Sequence, residues 1–306
     1  MDKELTGTIF ALLTALISGF SIVANKIFVV GIDATVFTSV RALFIGLAFL
    51  AIIYFTSGRR TDKFVSSFRK ADWRYMIAIA VIGGSFAFLM FFSGLQLTTS
   101  GRAAFIHKTL PIYVAVFAYW FLKEKITEKQ TYALIIMLLG TVLIFGARID
   151  PATLWMNPAL GDFLILGATI LWAAENVIAR KAMVEGDTNW IVSFSRMFIG
   201  ALILFGVAGV TGKAAMLLAL TPLQIMNIAI STSILFGYVF CWYYSIRYIN
   251  VSKAAAILLL APVVSLALGA AVLGEPVPVV QLVGSALVLL GSYVVISVRS
   301  QLSSGV

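Results

Sequence analysis

Apolar residues run through this chain in blocks of twenty or so, with polar residues gathered between them. A block of ~20 residues crosses ~30 Å of hydrocarbon at 1.5 Å per helical residue, so each predicts a membrane-spanning helix. Ten blocks occur. The first five are Thr6–Val30, Ala34–Thr56, Tyr75–Leu97, Ser100–Leu122 and Lys129–Ala147. The second five are Ala159–Met183, Thr188–Val210, Pro222–Tyr248, Val251–Leu273 and Val277–Val298. A short connection carrying Pro151 and Pro158 parts the groups, giving two units, 1–148 and 159–306. The opening residues Asp2, Lys3 and Glu4 lack the basic run of a cleaved signal, so the first block is expected to persist as a helix. The expected fold is an all-α integral membrane protein.

The two groups repeat one another. Shifted by 151 residues, Pro111 falls on Pro262, Glu124 on Glu275, Gln130 on Gln281 and Gly140 on Gly291, with no gap from Ala103 to Gly140. Each copy reads as an apolar helix with an inner proline, a turn holding a glutamate, and a second helix closing on Leu-Leu-Gly. Earlier in each unit, Lys26 matches Lys181 and Arg41 matches Arg196, both at a shift of 155. A repeat of this length dictates architecture. An odd number of spans per unit turns the second unit upside down, the inverted repeat of many secondary transporters, with substrate near the midplane.

Orientation follows from lysine and arginine. With the N-terminus inside, one loop collects Arg59, Arg60, Lys63, Arg69, Lys70 and Arg74, and further inner positions hold Lys123, Lys125, Lys129, Arg180, Lys181, Arg247, Lys253 and Arg299. The outside receives little beyond Arg102, Arg148 and Lys213. Positive residues stay on the cytoplasmic side, which places both termini in the cytoplasm of a bacterial or archaeal cell.

Composition agrees. The chain is 61% hydrophobic and 11% charged, with a mean hydropathy of +1.03, far below the ~25% charged residues of soluble domains. Its net charge of +9 reads as the inner-face bias of a membrane protein, not as a nucleic-acid footprint. One cysteine, Cys241, and one histidine, His107, exclude disulfides and Cys or His metal clusters. Gly206 to Lys213 imitates a phosphate loop but has the wrong spacing and Ala214 where Ser or Thr is required. No cofactor, no metal and no enzyme are expected, and a gradient would drive any transport. The expected partners are a small-molecule substrate and the lipid bilayer, with the chain a monomer or homodimer.

Residues 103–146 and 254–297, with their Ala-Ala, central proline, Leu-x-Glu turn and Leu-Leu-Gly, resemble the EamA repeat of the drug/metabolite transporter superfamily. Leu171-Trp172 and an arginine in each second helix fit the same pattern, and the resemblance covers essentially the whole chain. It implies a ten-helix carrier of small organic molecules, often an exporter of amino acids or other metabolites.

The repeat also sorts the polar residues. Those present in both copies serve the shared fold; those in one copy alone are the better substrate candidates. Glu124 and Glu275 are expected to cap the helix that follows each. Pro111 and Pro262 bend the fourth and ninth helices, and Arg41 and Arg196 read as scaffold. His107 and Lys108 face Leu258 and Leu259, and Glu175 faces Phe20. An ionised group in the bilayer interior costs at least about 2.5–3.5 kcal/mol, so it persists beside a cavity or a partner. Lys108 lies ~12 Å into its helix and Glu175 ~21 Å into its own, by helical rise. That difference suits a zwitterion held between ammonium and carboxylate, and it leaves open a structural pair or two separate crevices. His107 offers a proton shuttle, Asn176 a hydrogen bond, and Trp172 beside Glu175 a pocket for an organic cation. The readings that follow are an amino-acid exporter, an organic-cation carrier using Glu175 and Trp172, or a channel or non-transporting scaffold.

Overall fold

A computed structural model describes residues 2–28, 31–146 and 158–299. Ten long helices are present among them: α1 (Lys3–Phe28), α2 (Ala34–Thr56), α3 (Trp73–Leu97), α4 (Gly101–Leu122), α5 (Glu128–Gly146), α6 (Leu160–Val184), α7 (Asn189–Val210), α8 (Pro222–Tyr248), α9 (Val251–Val272) and α10 (Val279–Ser297). All ten are long and apolar enough to cross a membrane. Arg148 and Pro151 lie outside the described residues.

The halves pack by exchange. α1 lies on α8 and α9 of the second half, as α6 lies on α3 and α4 of the first; α2 meets α7, and α5 meets α10. In the α5–α10 contact, Gly140 sits against Gly284 and Met137 against Gly291, so numbering falls on one helix as it rises on the other. Counterpart helices therefore run antiparallel, and the two five-helix repeats are inverted. The glycines explain the Leu-Leu-Gly ending: a Cβ on Gly140 would stand 2.5 Å from the Gly284 carbonyl oxygen. Without an aqueous driving force between helices, such close backbone approach is what holds them.

The register of the repeat needs one correction. Gly7 of α1 packs on Tyr248 and Ile249, and Gly161 of α6 packs on Leu97 and Thr98, the residues 151 earlier. The shift between α1 and α6 is thus 154 at this junction, and Glu175 answers to Ser21. Phe20 is 50% exposed and faces away from the core.

Pro111 and Pro262 each follow a helix interruption at the same repeat position. α4 breaks into a turn at Lys108 and Thr109, and α9 tightens to a 3₁₀ turn at Leu258–Leu260. Proline removes the amide that an α-helix would need there. The turns closing α4 and α9 also match: Lys123 (φ 56°) and Gly274 (φ 65°) are both left-handed, and the amides of Glu124 and Glu275 each bond back six residues at 3.2 Å.

Glu124 does not cap the helix that follows it. Thr127 and Gln130 cap α5 reciprocally, while the Glu124 carboxylate crosses to the second half and accepts from the amides of Val251 and Ser252, at 3.2 and 3.4 Å. Arg180 stands 3.8 Å away. This is the face carrying the basic loop, here called the basic face. The loop itself folds into a surface helix, Thr61–Lys70, too short for the membrane-span pattern to mark. Its Phe64 and Phe68 pack on Tyr54 and Phe194, and Arg69 and Lys70 lie in its last turn.

Candidate functional site

A cavity of about 150 Å³ lies at mid-depth between the halves. α3 supplies Phe88, α4 His107, α6 Trp172 and Asn176, α7 Arg196, and α8 Tyr238 and Trp242. Trp172 and Asn176 are one turn apart and share a helical face, so both reach the cavity. The indoles of Trp172 and Trp242 are fixed by polar anchors: Trp172 Nε1 donates to the Gly83 carbonyl at 3.1 Å, and Trp242 Nε1 donates to Asn176 Oδ1 at 2.9 Å. His107 packs edge-on against Trp172 at 5.1 Å, and its buried Nδ1 has no hydrogen-bond partner among the described residues.

Neither of the paired charges sought in the sequence lines this cavity as a clamp. Adjacent residues on a helix diverge by about 100°. Asn176 takes the cavity side, which turns Glu175 toward α7 and α8; His107 takes it on α4, which turns Lys108 away. Glu175 is fully buried, accepts a hydrogen bond from Tyr243 on Oε1, and has Arg196 Nη1 3.6 Å from Oε2. Arg196 in turn donates to the Tyr243 hydroxyl at 3.0 Å. Lys108 borders a void of about 20 Å³ that shares His107, Leu110 and Leu258 with the larger cavity. Among the described residues it makes no ion pair. The carboxylate partner is thus Arg196, a residue read from the sequence as scaffold. Its counterpart Arg41 lies over the Phe37 ring at 4.5 Å, with no ion pair among the described residues.

The polar triad depends on features the sequence pattern did not flag. α3 carries a π-helical turn at Ile82–Phe86 and α7 another at Ser195–Ile199. A Cβ on Gly83 would come 2.2 Å from Glu175 Cγ, and one on Gly84 2.2 Å from the Arg196 carbonyl oxygen. The Gly83-Gly84 pair therefore lets α3 close over both residues. Tyr243 was equally missed, although its repeat counterpart Phe92 lacks the hydroxyl, the same one-copy test that singled out Glu175.

The sequence matches the EamA-like transporter family over residues 5–146 and again over 159–297. The chain belongs to that family. It is a multi-pass membrane transporter and not an enzyme. The uncharacterized transporter YyaM of Bacillus subtilis is 30% identical over 254 residues, covering 79% of this chain and 77% of that protein. A probable amino-acid metabolite efflux pump of Salmonella typhimurium is 24% identical, covering 69% of this chain and 72% of that one. A crystal structure superposes with a TM-score of 0.76 at 17% identity, covering 95% and 97% of the two chains, which shows a shared fold alone. Within this EamA-like transporter, the Arg196–Glu175–Tyr243 triad joins α7, α6 and α8 beside the central cavity.

Proposed function

We propose that this transporter exports small carboxylate-bearing metabolites, amino acids with apolar or aromatic side chains fitting best. The observation that carries the reading is the lining of the central cavity: Arg196 and His107 among aromatic rings, with no carboxylate. Arg196 reaches the wall with a planar guanidinium that engages Glu175 and Tyr243 through Nη1, and among the described residues its Nε has no hydrogen-bond partner. Asn176 Oδ1 and the faces of Trp172 and Trp242 can receive an ammonium. At about 150 Å³ the space falls below the ~300–1,000 Å³ of drug-sized sites, which favours a metabolite. A quaternary amine would have only the ring faces to hold it, and the Arg196 guanidinium in the same wall repels it. The efflux-pump relative supports an amino-acid substrate.

In this reading the basic face is cytoplasmic, both termini are inside, and the protein sits in the plasma membrane as a monomer or homodimer. Units 1–148 and 159–306 rock about the cavity, with Pro111 and Pro262 as hinges and Lys108 beside the substrate's path. The test is counterflow in proteoliposomes, loaded in turn with L-amino acids, quaternary amines and nucleotides. Exchange of labelled apolar or aromatic amino acids, lost in Arg196→Met, is expected. Exchange of quaternary amines alone would overturn the assignment.

A further inference from the structure

We propose that the protein holds a second binding site, an outer chamber for the carboxylate group of a small organic acid. The chamber, about 60 Å³, lies between α2, α3 and the α7–α8 connection, at the face opposite the basic one. A water needs ~10–15 Å³, so there is room for a carboxylate on a short stem.

Its walls are rich in donors and hold no carboxylate: Thr35, Thr38, Ser93, Gln96 and Lys213. Thr38 is 4% exposed and, among the described residues, its hydroxyl has no partner. Buried hydroxyls are nearly always satisfied, and rotation of this one toward the chamber would give it a ligand oxygen as partner. Among the described residues, the Ser93 and Gln96 side chains donate to no protein acceptor. Lys213 Nζ holds Asp33 Oδ2 at 2.9 Å and keeps two further protons to give. Asp33 is itself occupied by Lys213 and by the amides of Thr35 and Val36.

The inverted repeat shows that this space is particular to one half. At the matching place on the basic face, Thr35 is replaced by Trp190, Leu89 by Phe240, Ser93 by Tyr244 and Gln96 by Arg247. Trp190, Phe240 and Tyr244 pack on one another at 5.3–6.0 Å, and Arg247 bonds Asn189 at 2.6 Å. The second half fills with rings what the first leaves as a polar hollow. Phe88 lines both the chamber and the central cavity, so one ring separates them. The chamber therefore lies on the route out of the central cavity, where a carboxylate leaving Arg196 meets its next donors.

The binding claim does not depend on which metabolite is carried, and its test keeps the two apart. In a Cys241→Ala/Ser93→Cys protein purified in detergent, the rate of labelling by a methanethiosulfonate is measured with acetate, acetamide or methylammonium present. Acetate alone should slow labelling. Thr38→Val on that background should raise the half-protecting acetate concentration about tenfold, the worth of one charge-assisted hydrogen bond. The double variant Arg196→Met/Glu175→Leu, which removes the central guanidinium without leaving an unpaired buried charge, should leave protection unchanged. Equal protection by acetamide or methylammonium, no response to Thr38→Val, or loss of protection in Arg196→Met/Glu175→Leu would overturn the proposal. Gln96→Cys serves as the reporter if Ser93→Cys does not fold.

Discussion

The buried pair of Glu175 and Arg196 gives the sharpest quantitative test of the fold. Glu175 is 0% exposed and Arg196 9%, and they approach to 3.6 Å between α6 and α7, with Tyr243 of α8 bonded to both. Removing one member of such a pair leaves a bare charge in a low-dielectric interior, which costs about 3–5 kcal/mol. Replacing both by apolar residues of similar volume is close to neutral. Arg196→Met and Glu175→Leu should therefore each lower the detergent-phase melting temperature by on the order of 10 °C, at roughly 2–4 °C per kcal/mol. The double variant should regain most of the loss, a coupling of at least about 2 kcal/mol in the double-mutant cycle. Melting is read by fluorescence-detected gel filtration after heating, with and without Tyr243→Phe, which removes both hydrogen bonds of the shared hydroxyl and should cost about 1–3 kcal/mol. Additive losses in the double variant, or single variants within about 1 °C of wild type, would show that the pair is not what binds these helices. The Lys108→Met/Glu175→Leu combination is the control: those two residues do not touch, so their effects should add.

Other outcomes follow from the same packing. Gly140→Leu should prevent accumulation of folded protein, because its side chain has no space against Gly284 and Leu287; near-normal yield by gel filtration would contradict the α5–α10 contact. Lys123→Gly should stabilise by about 0.5–1 kcal/mol, since Lys123 holds a left-handed backbone that glycine adopts freely at the matching Gly274; a lower melting temperature would refute this. Burial holds the Glu124 carboxyl above its usual 4.5, outweighing Arg180 and the α9 amides. The native state thus binds that proton more tightly than the unfolded chain, and stability from this group is greatest below pH 4.5 and declines as pH rises above it. Glu124→Gln should flatten that part of the melting-temperature profile; an unchanged slope would exclude Glu124 as its source.

The repeat, the ten spans and the inversion were legible in the sequence because the bilayer imposes them. Block length is set by hydrocarbon thickness, and an odd number of spans per unit leaves the second no orientation but the opposite one. Pro111, Pro262 and the Leu-Leu-Gly endings were visible for the same reason: each marks a backbone event that recurs at one spacing. The one-copy test drew attention to His107, and proximity to Glu175 drew it to Trp172 and Asn176; all three border the central cavity. What the sequence left undecided was direction around each helix. A linear comparison places Glu175 and Asn176, or His107 and Lys108, at the same depth, but a rotation of about 100° sends one to the cavity and the other to a neighbouring helix. That rotation gave Glu175 to Arg196 and Tyr243 instead of Lys108. Nor did sequence reveal the π turns in α3 and α7, since a single extra residue in a helix changes no hydrophobic pattern yet resets every side chain beyond it. Glu124 completed the lesson: its turn was plain in the repeat, but its partners on α9 lie 127 and 128 residues away, brought there only by the crossing of the two halves.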